Sequence, residues 1–404
     1  MHQGAAGAPG ASEPGTRQNR PMRIAMIGLR GVPATVGGIE RGVEELGREL
    51  VRRGHEVTVY CRTNYVRERP PVFDGMRLRY LPTIGTKHLD AITHTALSTA
   101  TALHGFDVVH FHAMGPVLLT PVARTLGRGT AVVQTIHGLD GERAKWGKNA
   151  RRVLKFGEWL SARVPNETIV VSQALADHYQ QRYGRQTTVI GTGVTEIGRR
   201  SADTIAQSFG LAPESYVLFV GRLVPEKQPD VLIRAFRQVS DDVRLVVAGG
   251  SSFTDDYVDE LHRLAGADER VVITGRVSDE VLAELYSNAL AYVTPSALEG
   301  APLALLEAIS TGLPIVASDI APHVEVLGSE TYGRRLFTAG DEGALALAIH
   351  RVIGDGREGR EAARALREDI LATHGWARVA EETERVYERA LASRRGTGAS
   401  AHRR

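Results

Sequence analysis

The stretch "YVLFVGRLVPEKQPDVLIRAF", residues 216–236, joins an apolar strand pattern to a helical pattern through a short basic loop. It opens a second series of such units, because apolar strands already alternate with helices in the first half of the chain. The first series comprises 23–29, 55–61, 107–112, 130–137, 168–172 and 187–191, and the second comprises 216–222, 244–250, 270–275, 290–296 and 314–319. Short apolar strands separated by helices are typical of parallel sheets covered on both faces. The sequence therefore predicts an α/β protein with two doubly wound, Rossmann-like domains and a ligand cleft between them.

The break between the two series sets the predicted domain boundaries. The predicted parts are an N-terminal domain over 22–190, a linker over 191–214, a C-terminal domain over 215–375 and a last helix over 376–392. Residues 1–21 are small, polar and rich in Pro and Gly, so we expect a disordered tail, with Met22 a candidate for the true start. Residues 393–404 are basic and are also expected to be unstructured.

Composition narrows the class of protein. The 404 residues are 43% hydrophobic and 24% charged, which is ordinary for a globular chain, and the net charge of +2 gives no indication of nucleic-acid binding. Cys61 is the only cysteine, which excludes an internal disulfide and a cysteine-based metal cluster. No apolar run approaches the roughly 18 residues that span a bilayer. We therefore expect a cytoplasmic protein.

Two carboxylates stand eight positions apart in "ALEGAPLALLEAISTGLPIVASD", residues 297–319. Pro302 suits the first turn of a helix, which places Glu299 ahead of its N-terminus and Glu307 inside it. The amides of Gly300, Ala301 and Leu303 would then form an anion site, flanked by carboxylates suited to neutral hydroxyls such as those of a sugar and a ribose. The alternative is that Glu299 only interacts with the helix dipole and that Glu307 is a solvated helix residue.

The loop of the opening stretch carries two cations, Arg222 and Lys227, five residues apart and directly after a strand. Two cations on a loop that faces the cleft can neutralise a diphosphate without a metal ion. The alternative is a surface loop with ordinary basic residues.

These motifs together resemble a known family. "GRLVPEK", followed about 70 residues later by E-x7-E, is similar to the retaining glycosyltransferases of family 4, which have the GT-B fold. The resemblance extends from Met22 to about Ala392, and "GGIERGVEELGRELVRRGHEVTVY" and "GWARVAEETERVY" also have counterparts there. It implies that the last helix crosses back to the first domain.

The resemblance implies roles for individual residues. Arg222 and Lys227 match the pair that binds the donor diphosphate, Glu299 matches a contact to hydroxyls of the transferred sugar, and Glu307 matches a contact to the ribose. The other matched donor-binding positions are Gly37 and Gly38 near the diphosphate and reacting carbon, Gly275, Arg276 and Val277 near the nucleobase, and Gly250 in "VAGGSS", which replaces the commoner Gly-Asp-Gly turn. Many relatives carry a bulky residue in place of Gly300 or Ala301, so the preferred sugar does not follow from the resemblance.

Three histidines end strands of the first domain. His137 matches the family's active-site histidine, which contacts the donor sugar near the reacting centre, and we assign it with Glu299 to catalysis. His110 and His112 are candidates for the acceptor side of the cleft. For each of the three, the alternative is a structural histidine.

Residues 142–164 interleave basic and apolar side chains. The basic ones are Arg143, Lys148, Arg151, Arg152 and Lys155, and the apolar ones are Trp146, Val153, Leu154 and Trp159. Such a segment can contact an anionic membrane at the inner face or admit an acidic acceptor. The alternative is a solvated helix that packs its apolar stripe inward.

The resemblance implies transfer of a sugar from a nucleotide diphosphate sugar to an acceptor hydroxyl on a glycan, a lipid-linked molecule or a small molecule, with retention. We expect no metal, because the loops that face the cleft show no Asp-x-Asp arrangement, and no other cofactor. A nucleotide-sugar epimerase or phosphorylase of the same fold, and a non-catalytic nucleotide-sugar sensor, stay open. A dinucleotide-dependent oxidoreductase is disfavoured, because "GLRGVPATVGG" does not fit G-x-G-x-x-G and Cys61-Arg62 stands where an acidic ribose partner is expected.

Overall fold

The computed structural model describes residues 20–34, 37–65, 68–86, 89–139, 147–239, 242–251, 254–328 and 335–401. The predicted tail therefore lies outside the described residues over positions 1–19. Two sheets form the frame of the molecule. One has eight strands in the order β3-β4-β2-β1-β5-β6-β7-β8, and the other has six in the order β11-β10-β9-β12-β13-β14. Neighbouring strands are parallel, with β3 and β4 the antiparallel exception within the described residues.

The strands coincide with the apolar runs of the sequence, and the predicted α/β fold with two doubly wound domains is confirmed. They are β1 Arg23–Ile27, β2 Glu56–Arg62, β3 Val72–Phe73, β4 Met76–Leu81, β5 Val108–His112, β6 Ala131–Ile136, β7 Glu167–Val170, β8 Thr188–Val189, β9 Tyr216–Val220, β10 Arg244–Ala248, β11 Val271–Gly275, β12 Ala291–Thr294, β13 Ile315–Ser318 and β14 Leu336–Phe337. The sequence analysis missed β3, β4 and β14. In β4, "MRLRYL", buried Met76 and Leu78 alternate with exposed Arg77 and Arg79, so the strand has no continuous apolar run.

Helices cover both faces of each sheet. They are α1 Gly38–Arg52, α2 Leu89–Ala102, α3 Thr120–Leu126, α4 Lys148–Arg163, α5 Gln173–Tyr183, α6 Asp203–Phe209, α7 Pro229–Phe236, α8 Asp255–Ala265, α9 Asp279–Asn288, α10 Leu303–Ser310, α11 Ala321–Leu327, α12 Glu342–Gly354, α13 Gly356–Thr373 and α14 Trp376–Ala401. In α1, Val43, Leu46, Gly47 and Leu50 recur at helical spacing and are buried against the first sheet. Among the described helices, none combines the length and the apolar composition that a membrane-spanning segment requires.

The predicted linker at 191–214 contains structure that the sequence analysis did not expect. Its second half forms α6, and Ile205 and Leu211 are buried in an apolar cluster of the second domain. The stretch is therefore not irregular throughout, because three of its apolar side chains, Val194, Ile205 and Leu211, belong to that core.

The last helix crosses back to the first domain, as expected. Ala380, Val386, Tyr387 and Ala390 are fully buried in the cluster that surrounds β1. Helix α14 continues to Ala401, so the expectation of an unstructured tail from position 393 is wrong over 393–401, and 402–404 lie outside the described residues. The helix holds the end of the chain on the domain that its beginning forms.

Candidate active site

A cavity of about 870 Å³ lies between the two domains, at the carboxyl ends of the strands. Parallel sheets place ligand sites at that edge. The predicted site residues that line it are Gly37, Gly38, His110, His112, His137, Arg222, Lys227, Gly250, Arg276, Val277, Glu299, Gly300, Ala301, Leu303 and Glu307. Gly275 is the predicted site residue that does not line the cavity. The structure thus brings residues from all along the chain to one cleft.

Glu299 lies in the loop after β12, and its side chain is almost fully buried. Its carboxylate is paired with the Lys227 ammonium and accepts a hydrogen bond from Ser296 Oγ at 2.8 Å. Burial on its own would raise the pKa of Glu299, but Lys227 and then His323 hold that pKa below its ordinary value. Glu299 therefore stays ionised inside the cleft.

The loop with Lys227 is fixed against the loop with Glu299. Residues Pro225–Lys227 form a short 3-10 helix, and the Glu226 carbonyl accepts a hydrogen bond from the Ala297 amide at 2.9 Å. This backbone contact keeps the two motifs in register although 72 positions separate Lys227 from Glu299. Arg222 lines the same cavity from the start of its loop.

Glu307 lies in the second turn of α10, and its side chain is only 16% exposed, so it is not the solvated helix residue of the alternative interpretation. One carboxylate oxygen accepts from the Tyr286 hydroxyl at 3.1 Å, and the other accepts from Arg41 Nη1 at 3.1 Å. Burial raises the pKa of Glu307, and Arg41 opposes that rise. The carboxylate thus depends on a cation that the other domain supplies.

Arg41 is a site residue that the sequence analysis missed. It lies in the first turn of α1, and its Nη2 also donates to Asp279 Oδ1 of α9 at 2.7 Å. We call the contacts of Arg41 with Asp279 and Glu307 the Arg41 bridge. The available signal was its position in "GGIER", directly after the Gly-rich loop.

Helix α1 holds the Gly-rich loop through its own carboxylates. Glu40 Oε1 accepts from the Arg30 amide at 3.2 Å, and Glu44 Oε2 accepts from the Ala34 amide at 2.7 Å. Gly37 precedes the helix with a φ of 107°, a backbone conformation that favours glycine. The loop is therefore fixed to the helix that it leads into.

The two domains approach each other closely just before and at the start of α10. A Cβ atom on Gly300 would lie 1.7 Å from the His137 carbonyl oxygen, and one on Gly38 would lie 2.3 Å from Leu303 Cδ1. Ala301 packs against an apolar cluster of the first domain. Glycine is thus needed at position 300, where the neighbour is backbone, whereas at position 38 the end of the Leu303 side chain can shift.

The predicted anion site at the start of α10 needs two corrections. The helix begins at Leu303, so Pro302 occupies the capping position and not the first turn. The Leu303 amide donates to the Ala301 carbonyl at 3.0 Å and is already used within the chain. The amides of Gly300 and Ala301 are the ones that stay candidates for a ligand.

The three histidine rings lie in a row, His110 next to His112 and His112 next to His137, but they have different partners. Both ring nitrogens of His110 are used inside the protein, by Tyr387 Oη at 2.8 Å and Thr135 Oγ1 at 2.7 Å. Burial and then His137 lower the pKa of His110 to about 3, so its ring is neutral. His110 therefore links the last helix to the first sheet and has no ring nitrogen left for an acceptor, which corrects that expectation.

His112 and His137 are neighbours, with His112 Nδ1 and His137 Nε2 3.4 Å apart. Burial and then the other two histidines lower the pKa of His112 well below its ordinary value. His137 is partly exposed to the cavity, whereas His112 is buried behind it. His137 is thus the histidine that the fold presents to a ligand.

Around the predicted nucleobase position, Arg276 and Val277 line the cavity and Gly275 does not. The Gly275 carbonyl accepts from the Gly249 amide at 2.9 Å and from Thr274 Oγ1 at 3.0 Å. Gly250 packs against Arg276, whose Nη2 donates to the Ser251 carbonyl at 2.9 Å. Gly275 therefore shapes the turn behind the site.

Comparisons with known proteins agree with this architecture. Residues 36–196 match the family described as Glycosyltransferase Family 4, and residues 202–369 match the family described as Glycosyl transferases group 1. The GDP-mannose-dependent alpha-mannosyltransferase of Mycolicibacterium smegmatis is 28% identical over 92% of this chain and 99% of that protein.

Two solved structures are similar in fold. Sucrose-phosphate synthase from Thermosynechococcus elongatus has a TM-score of 0.78 at 24% identity, over 92% of this chain and all of the other. HepE from Anabaena, solved in complex with UDP and glucose, has a TM-score of 0.76 at 21% identity, over 91% of this chain and 99% of the other.

We predict that Gly300→Ala forces the cleft to open, because the added Cβ would overlap the His137 carbonyl. X-ray scattering should show a larger radius of gyration, and any reaction that needs both cleft walls should slow by about a hundredfold. Gly354→Ala is the matched control, because Gly354 is exposed with no atom near its Cβ position. An unchanged radius and rate for Gly300→Ala would contradict this prediction.

Proposed function

The chain belongs to the family 4 glycosyltransferases, which have the GT-B fold, and we propose on that premise that it transfers a sugar from a nucleotide diphosphate sugar to an acceptor hydroxyl with retention of configuration. The observation that carries this proposal is the pair of largely shielded carboxylates, Glu299 and Glu307, each held by a cation in one cleft. Ionised carboxylates accept hydrogen bonds from neutral hydroxyls, which a sugar and a ribose both offer.

The placement of the donor follows from these contacts. Glu307 accepts from the ribose hydroxyls, and Glu299 accepts from hydroxyls of the sugar. The diphosphate between them lies against Arg222, Lys227 and the amides of Gly300 and Ala301, all of which line the cavity. A nucleotide diphosphate sugar therefore places each of its polar parts opposite a group of suitable charge. The mannosyltransferase relative is described as GDP-mannose-dependent and HepE was solved with UDP, so the base stays a question for experiment.

Retention without a covalent intermediate fits the cavity wall. A double displacement needs two carboxyl groups about 5–5.5 Å apart around the reacting bond. The described acidic residues on the wall are Glu40, Glu226, Asp279, Glu299 and Glu307. Of these, Glu40 binds the Arg30 amide, Asp279 and Glu307 belong to the Arg41 bridge, and Glu299 is paired with Lys227. Among the described acidic residues of the wall, Glu226 is then left without a second uncommitted carboxyl group. We therefore favour attack from the face of the leaving group, with the departing phosphate taking the acceptor proton.

In this mechanism, the residues act by position and charge. As the glycosidic bond breaks, negative charge grows on the diphosphate, and Arg222 and Lys227 stabilise it. His137, across the cleft, contacts the sugar near the reacting carbon. The closeness of Gly300 to the His137 carbonyl excludes water from that point.

Two alternatives keep the same donor site. An epimerase would release an altered nucleotide sugar without an acceptor, and a non-catalytic binding protein would bind the donor without turnover. A thermal-shift panel of UDP, GDP, ADP and dTDP sugars identifies the donor first, because a specific ligand raises the melting temperature. Product analysis with that donor then separates transfer from the two alternatives.

We predict different kinetic effects for the two ends of the donor. Glu307→Ala should chiefly raise the KM for the donor, because the ribose loses its carboxylate, whereas Glu299→Ala and His137→Ala should chiefly lower kcat. A charge-assisted hydrogen bond is worth about 1.5–3 kcal/mol, so the changes should be about tenfold to 150-fold. Steady-state kinetics measure this split, and equal, small effects in all three variants would exclude the proposed placement.

We further propose that transfer needs no divalent metal, and we predict that chelator-treated enzyme keeps nearly full activity. Lys227→Ala should lose at least about tenfold in kcat, and added Mg²⁺ should not restore it, because the missing charge belongs to a side chain. Arg263→Ala, on the exposed face of α8, is the matched control. Activity that disappears with chelator and returns with Mg²⁺ or Mn²⁺ would overturn this part of the proposal.

Helix α4 supports a proposed peripheral contact with an anionic membrane. Its outer face carries exposed Val153, Phe156 and Trp159, and the last two rings stack with centroids 5.8 Å apart. The inward face is formed by other residues, including Gly157 and Leu160, so the alternative of an inward apolar stripe does not account for these three. Lys148, Arg151, Arg152 and Lys155 are exposed beside them. Arg143 and Trp146 lie outside the described residues.

The position of α4 connects this surface to the cleft, because Val153 and Leu154 also line the cavity. A lipid-linked acceptor could then pass from the membrane directly to the reacting sugar. We predict that Phe156→Ser with Trp159→Ser abolishes co-sedimentation with vesicles that contain phosphatidylglycerol. Leu126→Ser, at an exposed apolar residue of α3, is the control. Equal sedimentation of all three proteins would contradict the membrane contact.

A further inference from the structure

The Arg41 bridge joins the two domains at the point where the nucleotide is proposed to lie. Arg41 belongs to the first domain, while Glu307 and Asp279 belong to the second. The Arg41 amide also donates to the Gly37 carbonyl at 3.2 Å, so the side chain that crosses the cleft starts from the edge of the Gly-rich loop. One residue is therefore connected to both walls of the site.

Glu307 has no other cationic partner among the contacts of the described residues. The groups that face it are Arg41 from α1, Tyr286 and Asp279 from α9, and Tyr292 from β12. Lys227, the other cation that is paired with a carboxylate at the base of α10, is bound to Glu299. Burial and the charge of Asp279 both favour the protonated form of Glu307, and Arg41 opposes them. Without Arg41, a buried carboxyl beside another acid would have no positive neighbour.

The geometry of the carboxylate leaves room for a ligand. Each carboxylate oxygen has two acceptor positions. Oε1 uses one for Arg41 and Oε2 uses one for Tyr286, so each oxygen keeps one for a hydroxyl group. The two remaining positions match in number the two neighbouring hydroxyls of a ribose. Arg41 and a ribose can therefore bind Glu307 at the same time.

We propose that Arg41 is a positioning residue that completes the nucleotide site across the cleft, by keeping Glu307 ionised and oriented whenever the two domains are closed. This inference rests on the proposed function, in which Glu307 binds the ribose. It makes ribose binding by Glu307 depend on Arg41, which the second domain alone does not contain. Glu307 binds the ribose hydroxyls with full affinity in the closed enzyme and with lower affinity when the domains separate.

A second contact at the other side of the cleft supports closure as a defined state. The Gln173 amide, at the start of α5 in the first domain, donates to both carboxylate oxygens of Glu325 in α11, at 2.9 and 3.0 Å. This contact involves no group of the nucleotide site. Domain closure can thus be measured separately from nucleotide binding. The Arg41 bridge is the contact through which closure affects nucleotide binding.

The test measures nucleoside diphosphate affinity against pH by calorimetry. The probe is whichever of UDP, GDP and ADP raises the melting temperature of the wild-type enzyme most. The variants are Arg41→Ala, Arg41→Lys and Glu307→Gln, with Arg52→Ala as control, because Arg52 is exposed at the other end of α1 and pairs with Glu49. Scattering measures the radius of gyration of each protein without nucleotide.

The direction in which pH changes the nucleotide affinity follows from the ionisation of the Glu307 carboxyl group. Ribose binding needs ionised Glu307, so affinity is present above its pKa and is lost as the pH falls through it. In the closed form that holds the nucleotide, removing Arg41 raises that pKa further, so the loss begins at a higher pH. We expect Arg41→Ala to weaken binding several-fold at about pH 8 and by at least about tenfold more at about pH 6, with a larger radius of gyration. Arg41→Lys should restore most of the affinity at both pH values.

The outcomes separate this inference from the function on which it rests. Weakening by Arg41→Ala that is the same at every pH, or that persists when Glu307 is already Gln, would overturn the coupling between the two residues. If wild-type enzyme binds none of the three nucleotides, the proposed function is wrong and the ribose part of the inference is wrong with it. An unchanged radius of gyration in Arg41→Ala would overturn the role in closure.

Discussion

The structure of the cleft depends on keeping two carboxylates charged away from water. An ionised carboxyl group is costly to bury unless a cation and hydrogen bonds replace its hydration. Glu299 obtains its cation, Lys227, from its own domain, and Glu307 obtains Arg41 from the other. One half of the site is therefore assembled by the folding of a single domain, while the other half needs both domains together.

Other features of the cleft allow the two domains to come close enough for Arg41 to reach Glu307. Glycine at positions 38 and 300 lets the backbones of the two walls approach within contact of Leu303 and the His137 carbonyl. The last helix, α14, contributes buried Tyr387 to the first domain and so ties the end of the second domain to the first. Closure of the cleft thus depends on glycines at the contact between the domains and on helix α14, which connects the second domain to the first.

Much of the fold and several site positions follow from the order of residues alone. The strand–helix alternation identified the two sheets, because buried parallel strands have continuous apolar runs. The strand β4 was missed, since its alternating "MRLRYL" pattern has no such run. The motifs with Lys227 and Glu299 could also be recognised from the sequence, because each lies on a loop directly after a strand. Parallel sheets place their ligand contacts on such loops.

The sequence by itself determined the two-domain fold, the family and several of the positions that line the cleft. Only the tertiary structure decided which of those positions act together. Arg41 lies 266 positions from Glu307 and 238 from Asp279, and no local pattern records a contact over such separations. The partners of His110 also could not be read from the sequence. Its position at the end of a strand is typical of a site histidine, but its ring nitrogens are hydrogen-bonded to Tyr387 and Thr135. Propensity and periodicity act over a few neighbouring residues, whereas the partner of a buried charge depends on how distant segments pack.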